Sequence, residues 1–188
     1  MAQDTREKIL QAAFNALSRE GYENVSIKQI AEEARVAQGL IHYYFKSKQL
    51  LVLAVLQFVC QKMELGVEGE AGALAAFEQT KQMLRDSRDT NTLLVQLIGI
   101  GLHDDQIGGG VRDFVRDQRK HVEDIARQVF AERELDPTPA RGIAGAVWGS
   151  VLGIIIQRLI DPDFDADEAV DALAAMSLTA VYARAQGA

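Results

Sequence analysis

Two short runs of helical apolar spacing, separated by three residues, lie between Ser26 and Lys48 (SIKQIAEEARVAQGLIHYYFKSK) and restrict the fold more than any other feature of the chain. In the first run Ile27, Ile30, Ala31 and Ala34 recur at intervals of three and four. Ser26 followed by Gln29 is a capping-box pair, so a helix is expected from Ser26 to about Ala34. Arg35, Val36 and Ala37 interrupt it. Ile41 and Phe45 then mark the buried stripe of a second helix, whose other face shows Gln38, Gly39, Leu40, His42 and Tyr43. Upstream, Asp4 with Glu7 reads as another capping box, and Ile9, Leu10, Ala13, Phe14 and Leu17 give a helix ending at Gly21 an apolar face. Three such helices share one small core, and the last two fit a helix-turn-helix.

A helix-turn-helix places its second helix in the major groove of DNA, where each base pair shows a distinct pattern of donors and acceptors. Gln38 suits purine edges, His42 and Tyr43 reach bases or phosphates, and Gly39 lets the backbone come close. Leu40 cannot donate a hydrogen bond but can touch a thymine methyl. Lys28, Lys46 and Lys48 suit phosphate oxygens, with the Ser26 hydroxyl as a neutral donor. Periodicity alone also fits helical proteins that touch no DNA. In those, Tyr43 and Tyr44 would be ring packing, Lys46 and Lys48 a solvated helix start, and His42 a surface residue.

The segment from Gly21 to Leu51, GYENVSIKQIAEEARVAQGLIHYYFKSKQLL, resembles the N-terminal domain of tetracycline-repressor (TetR) family regulators. Shared are a glycine with an aromatic, a Ser/Thr-capped helix, an Ile-Ala pair, a V-x-x-G-x-(I/L)-x-x-(Y/H)-F recognition helix and K-x-K. Leu40 stands where the family usually has a small or hydroxylated residue, and His42 where tyrosine is common. Both lie on the base-reading face, so they bear on operator sequence and leave the fold unaffected. The resemblance implies double-stranded operator DNA and a small-molecule effector as partners. It also implies a homodimer joined through the last two helices of each subunit.

The remaining composition suits a cytoplasmic protein. Asp4, Arg6, Glu7 and Lys8 interrupt any signal-peptide run, and a single cysteine, Cys60, excludes an intrachain disulfide framework. Cys60 reads as a small buried apolar residue. Residues 143–160 (IAGAVWGSVLGIIIQRLI) are apolar enough to suggest a membrane span, but Gln157 and Arg158 fall inside and acidic residues flank it, so a buried helix and no membrane are expected. The net charge of −7 divides unevenly: residues 1–50 carry +1 and the other 138 carry −8. A near-neutral DNA-reading head gains phosphate affinity by acting in pairs, which again favours a dimer.

Beyond Ser47, which can cap a fourth helix, the chain reads as helices throughout. They run over Leu50 to about Met63, Ala73 to Arg85, Thr92 to His103, Val111 to Glu132, Ala140 to Ile160 and Ala166 to Ala185. Loops are expected at 66–72, 104–110 (with three successive glycines), 136–139 and 161–165. Thr138-Pro139 reads as an N-cap and first-turn proline, and Asp165 with Glu168 as a capping box. Gly145, Gly149 and Gly153, with Leu152 and Ile156, form a smooth stripe suited either to a partner subunit or to the chain's own core. With a cavity implied by the resemblance, Met63, Phe77, Leu97, Phe114, Trp148 and Val151 are candidate lining, with Gln118 and His121 as polar anchors; the same residues also suit plain core.

Catalysis is not indicated. His103-Asp104-Asp105 and His121 lack metal-ligand spacing, and the chain has no phosphate loop on a strand and no G-x-S-x-G, so no catalytic residue, metal or cofactor is expected. The expectation is an all-α protein. Its N-terminal three-helix helix-turn-helix domain (1–47) precedes a larger helical ligand-binding and dimerisation domain (48–188). It is expected to act as a repressor released from a palindromic operator by an apolar small molecule. The alternative is a constitutive or co-repressor-dependent DNA binder with no inducer cavity.

Overall fold

The computed structural model describes residues 2–61 and 69–185, and among these every regular element is a helix. In chain order they are α1 (Ala2–Glu20), α2 (Ile27–Ala34), α3 (Gln38–Phe45), α4 (Lys48–Gln61), α5 (Gly69–Asp86), α6 (Arg88–Gly101), α7 (Asp105–Glu132), α8 (Ala140–Ile160) and α9 (Ala166–Ala185). The chain divides into two compact units, one of residues 1–64 and 89–114, the other of residues 65–88 and 115–188.

In the first unit α1 packs on α2 and α4. Ile9, Leu10, Ala13 and Leu17 of α1 are buried, as are Ile30, Ile41, Leu51, Val52 and Val55 of the following helices. Ser26 caps α2 as its spacing predicts: the Gln29 amide donates to Ser26 Oγ at 3.2 Å, and the Ser26 amide donates to Gln29 Oε1 at 2.8 Å. The turn to α3 is a Schellman ending. The Val36 amide donates to the Ala31 carbonyl at 3.0 Å and that of Arg35 to Glu32 at 3.1 Å, with Arg35 left-handed at φ 55, ψ 46. Ser47 caps α4 through its hydroxyl, which accepts from the Leu50 amide at 3.2 Å.

Three local expectations are corrected. Asp4 does not cap α1, which begins at Ala2; it sits in the first turn and pairs with Lys8 at 3.0 Å. Thr138 does not cap α8 either, because its hydroxyl donates to Asp136 and Pro139 takes the N-cap position without a side-chain bond. The glycines at 108–110 are helical. Asp104 caps α7 by accepting from the Ile107 amide at 3.3 Å, and the missing side chains let α7 start close to its neighbours. A Cβ on Gly108 would stand 2.6 Å from the Gly101 carbonyl oxygen, and one on Gly110 would run into Leu53. Glycine is needed there for close approach, not for a turn.

In the second unit Ala73, Val129, Phe130, Ala140 and Val181 form a core, with Ile125 and Ile143 against it. Part of the stretch expected to be a link is helical here too. Gly69 opens α5 at φ 68, its amide donating to Gln128 Oε1 at 3.1 Å and that of Glu70 to Glu132 Oε2 at 2.9 Å, so side chains of α7 cap α5. Ion pairs tie α5 to α9: Lys81, itself buried, bonds Asp171, and Arg85 bonds Asp167. The Lys81 ammonium is held above the ordinary lysine range by its hydrogen bonds to Asp171 and Glu78. The Glu168 amide donates to Asp165 Oδ1 at 2.9 Å, one half of the predicted box at the start of α9. Helix α8 is long and apolar enough to cross a membrane by length and composition. It packs against α5 and α9, with Ala144, Val151, Ile154 and Ile155 buried.

Candidate nucleic-acid interface

Helix α3 turns Ile41 and Phe45 inward and leaves Gln38, Gly39, Leu40, His42 and Tyr43 outside. Tyr43 is 70% exposed and Leu40 38%, and a Cβ on Gly39 would meet nothing within 4 Å. Buried positions four apart fix this orientation, because Ile41 and Phe45 lie on one side of a 3.6-residue turn. Tyr43 and Tyr44 stand edge to face, with ring centres 5.2 Å apart. The helix carries no side-chain cap at Ala37. Eight residues at 1.5 Å rise make it about 12 Å long, close to the major-groove width of about 12 Å.

The cations around it differ in freedom. Lys46, at the C-cap of α3 with φ 65, is exposed and lies 6.0 Å from the Tyr43 ring centre. Lys48 is half-buried. Its ammonium donates to the Tyr22 carbonyl and lies 4.4 Å from the Tyr22 ring centre. Burial pushes it below the ordinary lysine value, with Glu23 opposing. Lys28 is exposed, 3.9 Å from Glu32. The Ser26 hydroxyl is engaged in its cap, donating to Gln29 Oε1 at 2.7 Å. Sequence reasoning passed over Arg6, whose guanidinium carbon lies 5.4 Å from the ring centre of Phe45 at the end of α3. Its signal, an exposed basic residue near the start of α1, is too common to single out.

The remaining predicted residues fall as follows. Leu97 and Phe114 are buried in the first unit. In the second unit Val151 is buried, Phe77, Gln118 and Trp148 are half-buried, and His121 is exposed. Met63 and the Cys60 side chain lie outside the described residues. Gly145 and Gly149 are exposed, while Leu152 and Gly153 are half-buried. A Cβ on any of the three stripe glycines would meet nothing within 4 Å, so that face of α8 is open in the single chain. Beside it Ile156 is 42% exposed, and Met176 of α9 is 64% exposed. The described residues hold no cluster of His, Cys, Asp and Glu able to bind a metal.

An exposed recognition-length helix on a three-helix core, followed among the described residues by helices alone, fits a helical DNA-binding regulator. Residues 9–55 match the family described as "Bacterial regulatory proteins, tetR family". It is similar to the HTH-type transcriptional regulator CymR of Pseudomonas putida, with 25% identity over 90% of this chain and 86% of the relative. It is also similar to the HTH-type nicotine-responsive transcriptional repressor HdnoR of Paenarthrobacter nicotinovorans, at 26% over 85% and 86%. In fold it resembles the TetR transcription regulator of Haloarcula marismortui, with a TM-score of 0.75 over 97% of this chain and 98% of that one at 17% identity. The protein is a transcriptional regulator and not an enzyme.

Proposed function

We propose that the protein is a cytoplasmic homodimeric repressor that leaves a palindromic operator when an apolar small molecule binds its helical body. The observation that carries this reading is the outer face of α3, where Gln38, His42 and Tyr43 stand exposed beside Gly39. Residues 1–47 read DNA and residues 48–188 take the effector and the partner subunit. Gln38, Leu40 and His42 discriminate bases, while Lys28 and Lys46 meet phosphates. Lys48 does so with donors left over from the Tyr22 carbonyl. The Ser26 hydroxyl contributes through its oxygen as a cap more than as a phosphate donor.

The open stripe of Gly145, Gly149 and Gly153 with Leu152 and Ile156 supports a dimer through α8 and α9, since exposed apolar surface of this kind is a cost in a monomer. For the effector, Phe77, Trp148 and Val151 of the second unit supply apolar surface and half-buried Gln118 a polar anchor. The exposure of His121 favours Gln118 over it as that anchor. Helix α4 is bound to α1 by Leu51, Val52 and Val55, so a ligand that displaces α4 moves the recognition helix with it. Coupling is reciprocal: a ligand that weakens operator binding by some factor is itself bound more weakly by the operator complex by the same factor.

Selection of duplexes from a random pool, followed by footprinting, tests the DNA reading; a two-fold symmetric site is expected, and an asymmetric single half-site of high affinity refutes the dimeric one. Titration of apolar ligands, following Trp148 fluorescence and operator binding together, tests induction. A ligand that binds and leaves DNA affinity unchanged favours the constitutive binder.

A further inference from the structure

The first fifty residues hold seven Lys and Arg, and the structure sorts them by partner. Lys8 faces Asp4 at 3.0 Å, Arg19 faces Glu20 at 2.9 Å and Glu33 at 3.0 Å, and Lys28 faces Glu32 at 3.9 Å. Among the described residues no carboxylate comes within ion-pair range of the other four, Arg6, Arg35, Lys46 and Lys48. These four gather at the two ends of α3. Arg35 stands in the turn before it, Lys46 and Lys48 follow it, and Arg6 lies over Phe45, its last residue.

Arg35 carries a second, independent observation. It occupies the left-handed position of the Schellman ending, at φ 55, where glycine is the usual residue because any Cβ is strained there. Its side chain is exposed, and among the described residues no ion pair or side-chain bond accounts for an arginine at that point. A strained residue kept at a binding surface points to a role for its side chain. Arg6 is placed differently, its planar guanidinium over the face of a buried ring, which leaves the edge N–H groups able to engage a phosphate in bidentate fashion.

We propose that Arg6 and Arg35 are phosphate anchors of the operator complex, gripping the DNA backbone at the C-terminal and N-terminal ends of α3. The inference rests on the reading of α3 as the groove-entering helix. It extends the interface beyond the matched segment 9–55, into the first turns of α1. Since α3 is about as long as the major groove is wide, cations at both its ends reach the phosphates that border the groove.

The test uses the full-length protein on a duplex it selects from a random pool, with affinity followed against potassium chloride concentration. Arg6→Gln and Arg35→Gly should each weaken all sequences alike and reduce the slope of log affinity against log salt by about one unit per head. Arg6→Lys and Arg35→Lys should keep the slope, and Lys8→Gln, whose ammonium is already paired, should leave it unchanged. Arg35→Gly should at the same time raise the melting temperature, because glycine relieves the left-handed cap; a structural role would move stability and affinity down together. A wild-type protein that binds its selected duplex, with slopes unchanged in both variants, overturns the anchors and leaves the reading of α3 standing. A lower affinity with an unchanged slope and a lower melting temperature likewise overturns them. A wild type that selects no duplex overturns both.

Discussion

Two adjacent glycines at the start of α7 should respond to alanine with opposite signs. A Cβ on Gly108 would lie 2.6 Å from the carbonyl oxygen of Gly101. Comfortable carbon–oxygen contacts begin at about 3.3 Å, so α7 and the end of α6 must part by roughly 0.7 Å. The obstacle is backbone, so no rotamer change relieves it. Ile107 and Val111, both buried, sit on the segment that must move, and a gap of 0.5–1 Å forfeits about a quarter to a half of their contact energy. Overpacking costs about 1–3 kcal/mol, here about 2–3 because the blocking atom is backbone, and helix propensity returns about 1 kcal/mol. Gly108→Ala should therefore destabilise by about 1–2 kcal/mol, lowering the melting temperature by roughly 2–8 °C for a chain of this size. A Cβ on Gly109 meets only Arg112 Nη2, at 3.8 Å. Gly109→Ala should then stabilise by about 0.5–1 kcal/mol. Thermal and urea unfolding of both variants decide it, and shifts of the same sign would refute the close-approach account of the glycine triplet.

Gly149→Leu should abolish dimerisation without lowering the stability of the monomer, because the side chain enters open space in one chain but blocks a partner; sedimentation showing an intact dimer would mean the stripe packs elsewhere. Gln38→Ala should cost about 1–3 kcal/mol on the preferred operator and relax one base position, measured by competition among single-base variants; uniform loss across them would count against base readout. Lys48, whose ammonium burial pushes below the ordinary 10.5, should lose its charge ahead of other lysines as pH rises. Between its lowered value and 10.5 the unfolded state holds more protons, so stability gains with pH there while operator affinity falls. Lys48→Arg should remove the alkaline fall in affinity, and an equal fall in both proteins would clear Lys48 of responsibility.

What could be read from the sequence was local. The ends of α2 follow from Ser26 and Gln29, three residues apart, and the face of α3 follows from Ile41 and Phe45, four apart; neither needs knowledge of what lies across the core. What escaped was set by distant partners. The start of α7 depends on the end of α6 at Gly101 and on Leu53, which lies far from Gly110 in sequence, so three glycines in a row looked like a loop. The caps of α5 come from Gln128 and Glu132, 59 and 62 residues away from the amides they bond. At the candidate interface the exposed residues of α3 were legible from period alone. The engagement of Lys48 with Tyr22 and the perch of Arg6 on Phe45 were not, since both join residues from different parts of the chain. Arg35 had a faint signal: only three residues separate two helices, which forces a tight reversal of the backbone whatever residue fills it.

The bond from the Lys48 ammonium to the Tyr22 carbonyl, together with Leu51, Val52 and Val55 beneath α1, fixes how the DNA-reading part can be transplanted. A chimeric regulator spliced at residue 47 would inherit the recognition helix but lose the donor that holds the loop before α2 and the floor on which α1 rests. A splice placed after Leu56, itself buried, carries the whole set and should transfer operator choice to a foreign body intact.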